Sequence, residues 1–215
     1  MISTREREEL VDTAMGNVVP DLVIQGGNLV NVHTHEIYKA DVIIKGNRIA
    51  AVGTDKYNIG SHTEIIDATG QFLIPGLMDP HFHLESTSPT VSELTRVIVP
   101  RGVTSVVEDP HEIANVLGIK GIELFLQEAR QLPINFFLRV PGQVPGVLGI
   151  ETTGGELDLA ETKELLARDE AVCLAGDINP SILLSKDQMQ FEKIDFAILL
   201  GKTIGGKSPS LKGKE

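Results

Sequence analysis

Two histidines one residue apart, His81 and His83, stand in the segment Asp79-Pro80-His81-Phe82-His83-Leu84-Glu85, directly after the apolar run Phe72-Leu73-Ile74-Pro75-Gly76-Leu77-Met78. Side chains alternate along a strand with period two, so two imidazoles at this spacing at the end of a buried strand point the same way and can reach one metal ion. That is the beginning of a metallohydrolase site. A second pair, His33 and His35, has identical spacing but sits in Asn31-Val32-His33-Thr34-His35-Glu36-Ile37, a joint between two short alternating strands. Its composition is that of a hairpin loop, and we read it as solvated and without function.

The elements that must position the first pair follow from the hydrophobic pattern. Residues 5–15 have helical spacing and predict a short helix within an amino-terminal segment spanning 1–20. From Pro20 the pattern alternates as strands do, over 21–25, 41–45, 48–52 and 64–67. Gly26-Gly27, Gly46-Asn47 and Gly53 punctuate these runs, and Gly46-Asn47 is a tight-hairpin signal. Residues 21–71 therefore predict a small all-β module. From Phe72 the rhythm changes to strands (72–78, 103–107, 134–140, 171–175 and 202–204) separated by helical patterns at 89–99, 111–130, 159–168 and 187–200. Such alternation argues for a parallel β/α barrel, whose active site lies at the carboxyl ends of the strands. A full barrel takes about 250 residues, so 72–215 hold roughly five of eight units. The fold class expected is α/β, an incomplete (β/α)8 barrel preceded by part of a small β-sandwich.

Composition narrows the function. Thirty acidic against 19 basic residues leave a net charge of −11, a surface that repels phosphate backbones and excludes nucleic acid as a partner. No apolar run approaches the ~20 residues that span a bilayer, and the charged start Arg5-Glu6-Arg7-Glu8-Glu9 has no signal-peptide core, so a cytoplasmic protein with no membrane partner is expected. Cys173 is the single cysteine and lies in an apolar run, which favours packing over a reactive thiol.

The run from Phe72 to Glu85, followed by Pro100-Arg101-Gly102-Val103-Thr104-Ser105-Val106-Val107-Glu108-Asp109-Pro110-His111-Glu112-Ile113-Ala114-Asn115-Val116-Leu117-Gly118, resembles the amidohydrolase superfamily and, within it, the adenine deaminases. The resemblance extends over most of residues 20–215, to the amino-terminal portion of such enzymes. It implies a metal-dependent hydrolase in which water attacks C6 of adenine and ammonia leaves, giving hypoxanthine. Coordination is needed because water is a weak nucleophile at neutral pH, and a metal lowers its pKa from about 15.7 towards 7. The resemblance assigns His81 and His83 to the metal; the neighbouring Asp79 and Glu85 are candidate acceptors that would fix their tautomers, although a loop-capping role serves Asp79 equally well. His111 and Glu112 fall where a strand meets a helix. Asp109 as N-cap with Glu112 three residues later also makes a capping arrangement, which would account for both carboxylates without catalysis.

The resemblance further matches Glu151-Thr152-Thr153-Gly154 to a site loop, which a plain polar turn would explain as well. Asp177 stands near the place of a metal-bridging glutamate and is its candidate substitute. Lys207 stands where the family has a histidine ligand, and an ammonium has no lone pair to donate. No residue can be assigned the family's catalytic aspartate. The cofactor implied is a divalent transition metal, manganese, iron or zinc, and the substrate a purine base, adenine. Another amidohydrolase reaction, such as opening of a cyclic amide, and a non-catalytic paralogue that binds metal or a partner chain are the alternatives. Strand edges left open favour self-association or a complementing carboxyl-terminal chain.

Overall fold

The computed structural model describes residues 2–53, 57–147, 149–176, 178 and 183–207, arranged as two compact units, Met1–Pro75 and Gly76–Glu215. In the first unit, helix α1 (Thr4–Ala14) starts at Ser3, whose hydroxyl accepts from Glu6 N while the Glu6 carboxylate accepts from Ser3 N, a reciprocal cap of the two orphan amides. Strands β1 (Leu22–Asn31), β2 (Glu36–Lys45), β3 (Arg48–Gly53) and β4 (Glu64–Asp67) form a mixed sheet in the order β3-β2-β1-β4. A short β5 (Phe72–Leu73) adds to β1 in parallel, opposite Asn28 and Leu29. The β1–β2 turn carries His33 and His35; the Asn31 side chain accepts from the amides of His33 and Thr34, and both imidazoles are exposed.

Among the described residues the second unit holds a sheet of five parallel strands in chain order: β6 (Leu77–Phe82), β7 (Val103–Glu108), β8 (Asn135–Pro141), β9 (Ala171–Ala175) and β10 (Thr203–Ile204). Helices α2 (Val91–Ile98), α3 (His111–Leu117), α4 (Ile119–Ala129), α5 (Leu159–Leu166) and α6 (Gln188–Leu199) fill the connections. Their apolar faces meet the sheet in one core, where Val106, Leu138, Val140 and Leu174 from the strands lie buried with Val91, Ile122, Leu165 and Ala197 from the helices. Each large aliphatic side chain so buried contributes roughly 1.5–3 kcal/mol against exposure. This is five units of an incomplete TIM-like barrel, as the alternation of patterns implies. No helix among the described residues is long and apolar enough to cross a membrane.

Two elements differ from the sequence pattern. The run 72–78 is not one strand: Phe72 and Leu73 pair in the first unit's sheet, and Leu77 and Met78 open the parallel sheet of the second. Pro75, with no amide hydrogen, stands at the break. The helical pattern 111–130 is likewise two helices, because Gly118 adopts φ +60°, ψ −146°, which stops α3 and turns the chain into α4.

Candidate metal centre

The site is built where β6 and β7 end side by side. Asp109 N donates to Phe82 O at 2.9 Å, and Leu84 N donates to the buried carboxylate of Glu108, so the backbone on either side of His83 is tied to the end of β7. His81 lies on β6 and His83 just beyond it, and their Nε2 atoms stand 3.1 Å apart. Two nitrogens that share one ion at ~2.1 Å are about 3.0–3.4 Å apart for angles between a right angle and the tetrahedral one. The separation suits a chelating pair, and it is also the distance of a hydrogen bond between the two rings.

On the other side of His83, Nδ1 lies 3.2 Å from Glu112 Oε2. His111, first residue of α3, sets its ring edge-on to His83 with centroids 5.3 Å apart, and its Nδ1 is 3.6 Å from Glu112 Oε2. The Asp109 side chain, wholly buried, points into the same space. Its Oδ2 is 3.7 Å from His81 Nε2 and 3.5 Å from Arg139 Nε, and its Oδ1 is 3.8 Å from His111 Nδ1. Neither Asp109 oxygen has a hydrogen-bond partner among the described residues. Among the described residues two groups of donors lie within 4.8 Å of one another, His81–His83–Asp109 and His83–His111–Glu112. Imidazole nitrogen with carboxylate oxygen is a donor set that divalent transition metals accept, so these residues fit the metal that the sequence implies.

Electrostatics keep the first imidazole ready to donate. His81 is held below the ordinary histidine range first by partial burial, then by the positive charge of Arg139 and the neighbouring His83 ring, with Lys207 adding to them and Asp109 opposing. A neutral ring at neutral pH has the lone pair that a metal needs. Beneath the site Glu108 is pushed up to about 9, mainly by burial and further by the charges of Glu85 and Asp109, against the pull of the Leu84 amide.

The remaining residues singled out in the sequence take other places. The Asp79 carboxylate accepts from His81 N at 3.1 Å, a turn within its own segment. Glu85 accepts from Ile113 N at 2.9 Å and so caps α3 from outside the helix. The expected cap by Asp109 is not formed: Pro110 is the N-cap residue, with no side-chain cap bond, which puts Ile113 and not Glu112 at the third helical position. That one-residue offset frees Asp109 and Glu112 to face the histidines. Glu151 accepts from Gly146 N at 3.2 Å within the loop after β8 and joins neither donor group. Asp177 lies outside the described residues, as do 208–211. The exposed Lys207 follows β10, where its amide donates to Ile178 O.

The sequence reading missed Asp109 as a member of the site, and also Arg139 and Glu108. The available signal was charge in the wrong place: Arg139 interrupts the apolar strand Ile134–Val140, and Glu108-Asp109 ends the apolar run of β7.

A family model described as the amidohydrolase family matches residues 72–189. The chain belongs to the amidohydrolase family. Similar curated members are adenine deaminase 3 of Rhizobium meliloti (strain 1021), 43% identical over 94% of this chain and 35% of its own length, and the adenine deaminase of Moorella thermoacetica, 40% identical over 92% and 33%. The chain thus spans about a third of the length of the curated amidohydrolases it matches. Among solved structures, the β-aspartyl dipeptidase of Fervidobacterium islandicum AW-1 superposes with a TM-score of 0.56 at 19% identity, over 86% of this chain and 50% of that one. A D-aminoacylase superposes with a TM-score of 0.52 at 18% identity, over 86% and 44%. These two likenesses show the shared amidohydrolase fold.

Proposed function

We propose that this chain carries the first part of the active site of a metal-dependent adenine deaminase, acting in the cytoplasm on a purine base. The observation that carries the reading is the 3.1 Å approach of His81 Nε2 to His83 Nε2, in a chain whose curated relatives at about 40% identity are adenine deaminases. His81 and His83 would hold the ion as neutral donors. Glu112, accepting from His83 Nδ1–H, fixes the tautomer that leaves the Nε2 lone pair free. When bound, manganese, iron or zinc would lower the pKa of a water and let it attack the ring carbon that bears the amino group. Glu85 and Glu108 hold the backbone that presents the histidines, through Ile113 N and Leu84 N.

The test has two parts. The purified 215-residue chain should bind a transition metal, and a His81→Ala, His83→Ala double variant should lose it while a His33→Ala, His35→Ala variant keeps it. Adenine conversion to hypoxanthine should be absent for the chain alone, since no residue in it can be assigned the role of the family's catalytic aspartate. It should be present when the chain is mixed with the remaining two thirds of the Rhizobium meliloti relative. Equal metal content in wild type and the His81/His83 variant overturns the reading.

A further inference from the structure

We infer that Asp109 is the oxygen ligand of the cation held by His81 and His83; the inference rests on the metal-centre reading above and assigns a donor which that reading leaves open. The carboxylate is 0% exposed, and a charge so buried is costly unless it is hydrogen-bonded, paired or bound to a metal. Among the described residues it has no hydrogen-bond partner. Arg139 approaches to 3.5 Å through Nε without hydrogen-bond geometry, so the pair is a loose one and the oxygen lone pairs stay uncommitted.

Position points the same way. The bond from Asp109 N to Phe82 O sets the carboxylate beside β6, and Oδ2 stands 3.7 Å from the nitrogen of His81 that faces His83 Nε2. That is a few tenths of an ångström more than neighbouring ligands of one ion require. Glu112 reaches the opposite nitrogen of His83 and serves as its orienting acceptor, which leaves Asp109 as the carboxylate on the chelating side. Space is kept for it at the end of β9, where a Cβ on Gly176 would come within 3.2 Å of Asp109 Oδ1. Two neutral imidazoles with one carboxylate are a recognised ligand set that holds a divalent ion and leaves positions open. Arg139 then balances the anion when the ion is absent.

The experiment is Co(II) titration of the full 215-residue chain, followed by affinity and by visible absorption at saturation. Asp109→Asn should weaken Co(II) binding at least tenfold and change the absorption of the saturated complex, because a ligand has been lost. A carboxylate acting only as a nearby charge would alter affinity and leave the saturated spectrum as in wild type, which would overturn the assignment, as would an affinity within threefold of wild type. If Asp109→Asn fails to fold with Arg139 left unbalanced, the double variant Asp109→Asn, Arg139→Gln removes both charges and is judged against Arg139→Gln by the same two readouts. The His81→Ala, His83→Ala chain separates the two levels. Retained Co(II) there defeats the metal-centre reading itself, whereas its loss there with an unchanged Asp109→Asn spectrum defeats only the role of Asp109.

Discussion

Glu112 Oε2 lies 3.2 Å from Nδ1 of His83, while Nε2 of the same ring faces Nε2 of His81 at 3.1 Å. One imidazole is thus held between a carboxylate and a second imidazole. The carboxylate decides which nitrogen carries the proton, and hence which one can donate to a metal.

Loss of that acceptor should be felt at the metal. Glu112→Ala should weaken transition-metal affinity about 10–100-fold with the fold intact, and Glu112→Gln, which still offers an acceptor oxygen, should recover part of it. Metal titration of the two variants beside thermal melts checks this. Equal affinities in wild type and Glu112→Ala would leave the residue with no part in orienting His83.

Much of this arrangement is legible in the sequence, and the failures have physical causes. The His81–His83 pair, the five strand–helix units and the exposed His33–His35 turn follow from local period and turn chemistry. The place of Asp109 does not, because a carboxylate before a helix has two local uses, cap and site, and only the Pro110 N-cap, one residue on, separates them. The split of 72–78 is illegible for a similar reason: Phe72 and Leu73 are apolar enough for either sheet, and pairing with Asn28 and Leu29 across more than 40 residues decides the matter. Arg139 shows its purpose only when the ends of β7 and β8 are side by side.

Lys193 offers a pH test away from the site. It is fully buried on α6, and its ammonium donates to Gly142 O and Leu157 O at 3.1 Å each, clamping the two ends of the loop between β8 and α5. Burial brings it down to about 8, against the nearby negative charges of Asp158, Asp187 and Glu161. Between that value and the unfolded lysine value of about 10.4 the folded chain binds fewer protons than the unfolded one, so this residue's contribution to stability rises with pH through the window. A shift of this size amounts to about 3 kcal/mol. The difference in unfolding free energy between wild type and Lys193→Met should therefore be flat below pH 8 and grow in favour of wild type up to about pH 10. A difference independent of pH in denaturant titrations would contradict the assignment.

Gly118 joins α3, which carries His111 and Glu112, to α4. Its φ of +60° with ψ −146° belongs to a region that side chains rarely occupy, and a Cβ there would meet Glu156 O at 3.2 Å. Gly118→Ala should destabilise the second unit by about 1–3 kcal/mol, measured by chemical denaturation. A neutral effect would mean that the α3–α4 junction relaxes to another conformation without loss.

The last prediction concerns the two edges of the parallel sheet. β6 pairs only with β7 among the described residues, and its Leu77 and Met78 are about half exposed, at 51% and 52%. β10 is two residues long and, among the described residues, pairs only with β9. Strands between two neighbours have both rows of backbone groups bonded, whereas an edge strand leaves one row to water or to another chain. Native-state hydrogen exchange should accordingly protect the amides of β7, β8 and β9, around Val106, Leu138 and Leu174, to near the global stability, while Thr203 and Ile204 exchange quickly. Protection at β6 should be intermediate and should rise with protein concentration if its apolar edge associates with a second copy. Strong protection at both edges in a demonstrated monomer would show that this sheet satisfies its edges within the chain, and would defeat the open-barrel description.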